Sequence, residues 1–146
     1  MLYGRELIGL PVFDIEKKQL GVVKSYEAEA CGTMKSLTVT TQGLFTKDIL
    51  IPAQQIAAIG IKGIYLKAFA QKPAKAPKNS AGNSFVGQKV FDSSGRCLGD
   101  ICDIMLENQQ VYAFEISRGI YEDLCSGRQK VNLSELHHCE QGFIKN

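Results

Sequence analysis

The chain has 146 residues, 45% of them apolar and 22% charged, with a formal net charge of +2. That length suits one ordinary domain or two very small ones, and the apolar fraction excludes a wholly disordered chain. So small a charge does not mark a nucleic-acid binder, and five cysteines without a leader-like segment point to free thiols in a reducing compartment.

The opening "MLYGRELIGLP" holds an acid and a base and no apolar h-region, so no targeting segment and a cytoplasmic location are expected. "PVFD" (Pro11–Asp14) reads as a short strand ended by an Asp whose carboxylate accepts hydrogen bonds from turn amides. The next strand starts at "LG" and runs on through "VVKSYEAEA". Its apolar positions step by three, from Val23 to Tyr26, which predicts a β-bulge, with a helical turn as the competing reading. "KSLTVTT" alternates, placing Leu37 and Val39 on one face. "ILIPAQQIAAIGI" (Ile49–Ile61) is the most apolar window. It is shorter than the ~20 residues of a membrane span, and reads as a strand, a tight turn begun at Pro52, and another strand. In "GIYLK", Ile64 and Leu66 are core and Tyr65 faces out.

"QKPAKAPKNSAGN" (Gln71–Asn83) has two of the four prolines, three lysines and no large apolar side chain, and so reads as a linker. After it the chain repeats itself. "VFDIEKKQLG" (Val12–Gly21) returns 78 residues later as "VFDSSGRCLG" (Val90–Gly99). Laid over one another without a gap, Leu7–Ala30 and Phe85–Asn108 share seven identities, among them Gly9/Gly87, Asp14/Asp92 and Gly21/Gly99. "VYAFEIS" reads as a strand with Tyr112, Phe114 and Ile116 on one face, and Ile101 to Ile104 repeats the three-residue step. Two units are expected, 1–70 and 84–146, around a linker at 71–83. Each holds about five to six short strands, a sheet that buries one face by curling into a barrel. The fold class is therefore all-β, with two tandem small barrels. Residues 1–70 carry +2 and residues 84–146 carry −3, so the basic excess lies at the front and in the linker.

These residues resemble the PRC-barrel domain, the module of the photosynthetic reaction-centre H subunit and of the C-terminal half of the ribosome maturation factor RimM. Gly9, Val12, Asp14, Gly21, Val23, Ile51, Pro52, Ile56, Ile59 and Gly60 fill the family pattern. Gly87, Val90, Asp92, Gly99 and Ile101 fill its second copy, where "VNLSEL" stands in place of the Ile-Pro segment. The resemblance implies a non-enzymatic adaptor, of the kind found in small bacterial proteins, that binds another macromolecule. A protein partner is expected, and an RNA- or ribosome-associated role is the alternative. No membrane span is expected, though a membrane protein could recruit the chain. The shared Gly9, Asp14, Gly21, Pro52, Gly87, Asp92 and Gly99 would set turns and bulges rather than do chemistry.

Candidate binding residues are Lys62, Tyr65, Lys67 and Phe69, where basic and aromatic side chains interleave. Lys72, Lys75 and Lys78 extend the basic run. Against this stands a plain core strand running into a solvated linker. His137, His138 and Cys139 with Cys97 and Cys102 raise a zinc site, but neighbours on a strand point to opposite faces, so neither metal nor cofactor is expected. Ser134 with His137 lacks a nucleophile elbow and a placed carboxylate. Asp100, Asp103 and Glu107 read as a solvated acidic face rather than a pair across a cleft.

Overall fold

A computed structural model describes residues 2–67, 74–75, 85–119, 125, 127–139 and 142–145. The chain opens with strand β1 (Leu2–Tyr3) and one helical turn, α1 (Gly4–Leu7). The first sheet holds β2 (Pro11–Phe13), β3 (Gln19–Ala28), β4 (Met34–Thr41), β5 (Asp48–Pro52), β6 (Ile56–Gly60), β7 (Gly63–Leu66) and the short β8 (Ala74–Lys75). The second holds β9 (Lys89–Phe91), β10 (Cys97–Glu107), β11 (Gln110–Ser117), β12 (Gln129–Asn132), β13 (Leu136–Cys139) and β14 (Gly142–Lys145). Strand order is β6-β7-β2-β3-β4-β5-β8 in one sheet and β13-β14-β9-β10-β11-β12 in the other. In each unit one pair is parallel, β2 with β7 (Val12 beside Ile64) and β9 with β14 (Val90 beside Phe143), while the other neighbours are antiparallel. The protein is two small β-barrel domains of one plan.

The sequence repeat shows in the hydrogen bonds. Gly9 N–H donates to Val23 O and Gly87 N–H to Ile101 O, both at 2.8 Å. Asp14 Oδ1 accepts from the amides of Glu16 and Lys18, each at 2.9 Å. Asp92 Oδ1 accepts from Ser94 at 3.0 Å and Arg96 at 2.9 Å. The three-residue step is a bulge in both copies, between Val23 and Ser25 and between Ile101 and Asp103, so the helical reading fails. The extra residue is Lys24 in one strand and Cys102 in the other, and it turns the strand so that one ribbon serves two sides of a barrel. A second irregularity, at Glu27/Ala28 and Met105/Leu106, also recurs. It skips Tyr112 in the pairing, which leaves that ring half-buried and buries Val111 beside Phe114 and Ile116, so Tyr112 does not share their place. "VNLSEL" holds the place of the Ile-Pro segment: one 3-10 turn follows Pro52 (φ −64°) and another follows Asn132 (φ −72°). Gly21 is required because a Cβ there would collide with the carbonyl of Thr40 on the crossing strand.

One contiguous apolar cluster runs through both units. In the first barrel it includes Leu7, Leu37 and Ile64; in the second, Phe85, Phe114 and Phe143 take the matching places. Their ring centroids lie 5.0 to 6.0 Å apart.

The units meet at their β3–β4 and β10–β11 hairpins. Thr33 bridges Gln110, Met34 N–H donates to Gln109 O, and Val111 N–H donates to Gly32 O, both at 2.8 Å. These two bonds are each other's image under the repeat, as in an isologous dimer contact made within one chain. β1 crosses over, pairing Leu2 with Leu106 and Tyr3 with Met105, so the start of the first unit adds a strand to the second sheet.

Candidate interaction surface

The candidate binding residues lie around β7. Ile64 and Leu66 are buried and Tyr65 points outward, 38% exposed. The Tyr65 ring stacks on Phe13 of neighbouring β2 at 5.5 Å and 19°. Lys62 is exposed in the turn before the strand, and Lys67 is exposed just after it, its amide donating to Gln55 O at 2.8 Å. The strand thus brings together Lys62, Tyr65 and Lys67. Phe69, Lys72 and Lys78 lie outside the described residues. Lys75 belongs to β8, whose backbone pairs with Ile49 and Leu50 of β5.

The His/Cys residues lie on two strands, Cys97 and Cys102 on β10 and His137, His138 and Cys139 on β13. His137 and His138 are both exposed on β13. His138 packs edge-on to Phe143, with 5.0 Å between centroids. Cys97 pairs with Phe91, which pairs with Ile144, which pairs with His137. Three strand spacings of about 4.8 Å separate them along the sheet. Cys102 Sγ faces the carbonyl of Glu115 at 3.1 Å, and burial pushes its thiol pKa up. Among the described residues no three His, Cys, Asp or Glu side chains form a group that could hold a metal ion.

The acidic run of β10 is not one solvated face. Asp100 is exposed, 3.6 Å from Lys89 Nζ, but Asp103 is buried. The bulge at Cys102 turns it inward, against α1. Its Oδ1 accepts from the Arg5 amide at 3.2 Å and its Oδ2 from Arg5 Nη1 at 2.9 Å. Glu115, also buried, accepts from Arg128 Nη1 at 3.1 Å. Arg5 in turn lies over the Tyr3 ring at 4.2 Å. This network fastens the N-terminal segment to the second barrel. It escapes sequence reading because its partners lie 98 residues apart. Arg5, Lys24, Tyr26, Cys102, Asp103 and Arg128 help line a cleft of about 390 Å³ where the barrels meet. Burial, and secondarily the Asp103 charge, push the Tyr26 phenol far above its ordinary range.

A further surface feature was not singled out from sequence. Leu44 and Phe45, at the tip of the β4–β5 hairpin, are 96% and 83% exposed. The signal was an apolar pair inside a "QGLFTK" loop, where turn chemistry calls for polar residues.

The family model of the PRC-barrel domain matches residues 1–72. No curated protein matches the chain.

Proposed function

We propose that this chain, whose residues 1–72 belong to the PRC-barrel domain family, is a non-catalytic adaptor that binds a protein partner on the outer face of its first barrel. The observation that carries the reading is the Phe13–Tyr65 stack. Tyrosine, rigid and amphipathic, is enriched at protein interfaces, and here it stands outside the core between two exposed lysines. The second barrel has Phe91 and Ile144 at these places, so the face belongs to one copy. The residues that recur between copies, Gly9, Asp14, Gly21 and their counterparts, hold turns and strand crossings, and this leaves binding to the residues that differ.

The test is affinity capture from native lysate on the immobilised full chain, with and without ribonuclease. A protein retained after ribonuclease, and lost about tenfold or more with Tyr65→Ala, supports the reading. The full chain is the right reagent because the barrels share a core. A second reading, contact with RNA or the ribosome in a cytoplasmic setting, is favoured by Lys62 and Lys67 flanking an exposed ring. It takes first place if the captured material is RNA that disappears with ribonuclease.

A further inference from the structure

We propose that the outer rim of the first barrel docks on an anionic phospholipid surface, with Leu44 and Phe45 entering the boundary between headgroups and acyl chains. The β4–β5 hairpin is pinned at its base, where Thr41 N–H donates to Lys47 O at 2.8 Å and Lys47 N–H to Thr41 Oγ1 at 3.0 Å. Gln42–Thr46 therefore projects as a tip. Its two large apolar side chains are the most exposed large hydrophobics among the described residues, and neither belongs to the core cluster found there.

The tip has neighbours of fitting chemistry. Gln42 N–H donates to Leu20 O at 3.2 Å, which sets the tip beside the start of β3 and hence beside the Asp14–Lys18 turn. That turn exposes Ile15, at 53%, together with Lys17 and Lys18. Lys47 stands exposed at the base of the tip. Against these three lysines the rim exposes Glu16, while Asp48 is engaged by Lys24 Nζ at 2.6 Å and Thr40 Oγ1 at 2.9 Å. Apolar side chains set among lysines are the pattern of proteins that bind the interface of anionic bilayers, where burial and charge attraction add. Leu44, the more exposed of the pair, is aliphatic and gives a nucleobase no face to stack on, which favours lipid over RNA.

Geometry permits the contact. The tip lies at one end of the β3–β4 ribbon and the joint with the second barrel at the other, separated by an eight-residue strand or about 25 Å. The joint with the second barrel is therefore remote from the tip. In the second barrel the counterpart of the Asp14–Lys18 turn reads Ser93, Ser94, Gly95 and Arg96, without the apolar side chain that Ile15 adds to the first. The proposal goes beyond the adaptor reading and does not depend on it.

The experiment is co-flotation of the full chain with vesicles of phosphatidylcholine alone and of phosphatidylcholine mixed with phosphatidylglycerol, at physiological salt. The chain should float with the mixed vesicles and much less with the neutral ones. L44S/F45S should weaken binding at least about 30-fold. Replacing Lys17, Lys18 and Lys47 by Gln should cost about fivefold for each lysine, with a matching salt dependence. The chain has no tryptophan, so Phe45→Trp gives a clean reporter whose emission should shift to the blue on mixed vesicles. Unchanged thermal unfolding of L44S/F45S ties any loss to the surface. Wild-type protein that stays in the buffer overturns the proposal, as does an L44S/F45S variant that floats like wild type. A tip that mediates self-association or RNA retention without vesicle binding also overturns it. Lysate capture through Tyr65 is scored separately, so failure of either reading leaves the other standing.

Discussion

The two barrels share a frame and fill it differently. The frame is set by backbone devices: a left-handed glycine at Gly9 and Gly87, an Asp-capped turn, two bulges and a 3-10 turn. Inside, the first barrel packs Leu7, Leu37 and Ile64 where the second packs Phe85, Phe114 and Phe143. The added volume is partly returned at another site, since Tyr26 faces Ile104 across the repeat. The core thus follows total volume and patterning, while the turns follow specific residues. The outer surfaces diverge further: one turn exposes Ile15 beside two lysines, and its counterpart reads Ser93, Ser94, Gly95 and Arg96.

The largest expected effects come from undoing one core without adjusting its neighbours. Phe114→Ala removes the ring that touches both other phenylalanines and should cost about 3–5 kcal/mol. Leu37→Phe copies the second barrel's choice into the first and should still cost about 1–3 kcal/mol, because its neighbours remain sized for leucine. Urea denaturation measures both. A Leu37→Phe variant as stable as wild type would show the two cores to be interchangeable residue by residue.

The joint between the barrels comes next. Gly32 has φ +93°, and a Cβ there would collide with Val111 O and crowd Gln110 and Leu133. Gly32→Ala should therefore lose about 2–3 kcal/mol. Amide exchange should show the loss at Met34 and Val111, whose N–H groups make the reciprocal bonds. Arg5→Ala should cost about 1–2 kcal/mol. It leaves Asp103 buried with fewer donors, but the arginine itself is half exposed, so solvent already screens the pair. If that variant instead matches wild type, the N-terminal segment is held by β1 pairing alone.

Local features of this fold were legible in the sequence, and long-range ones were not. The Asp14 and Asp92 turns, the bulges after Val23 and Ile101, and the inward Ile64 and Leu66 follow from residue chemistry within a few positions. The repeat and the family resemblance then carried the two-barrel plan. The second irregularity near Leu106 was missed because Tyr112 looks like any alternating strand residue, and only its partner strand skips it. Asp103 was read as solvated because nothing near it in sequence foretells Arg5. The crossing of β1 was missed for the same reason. Tyr65 follows as an outward ring on an alternating strand, whereas the exposure of Leu44 and Phe45 depends on how the β4–β5 tip projects, which their neighbours in sequence do not set.

The smallest effect is spectroscopic and belongs to the first barrel alone. Tyr26 is buried where β3 passes the N-terminal segment and Asp103, and its counterpart Ile104 has nothing to titrate. Burial first, and the Asp103 carboxylate second, disfavour the phenolate. An unfolded tyrosine ionises near pH 10. With the folded value raised above the unfolded one, the contribution of Tyr26 is fully present below about pH 10 and is lost as the pH rises beyond it, because the unfolded state sheds the proton first. An ultraviolet titration carried past about pH 10, the ordinary tyrosine value, follows the phenols. A later component, absent from Tyr26→Phe, should appear only as the protein unfolds. Asp103→Asn should draw that component to lower pH by the smaller, charge-borne share. If no such component appears and Tyr26 ionises reversibly near pH 10 in the folded protein, its phenol is in contact with water, and the joint between the barrels opens far more readily than its hydrogen bonds imply.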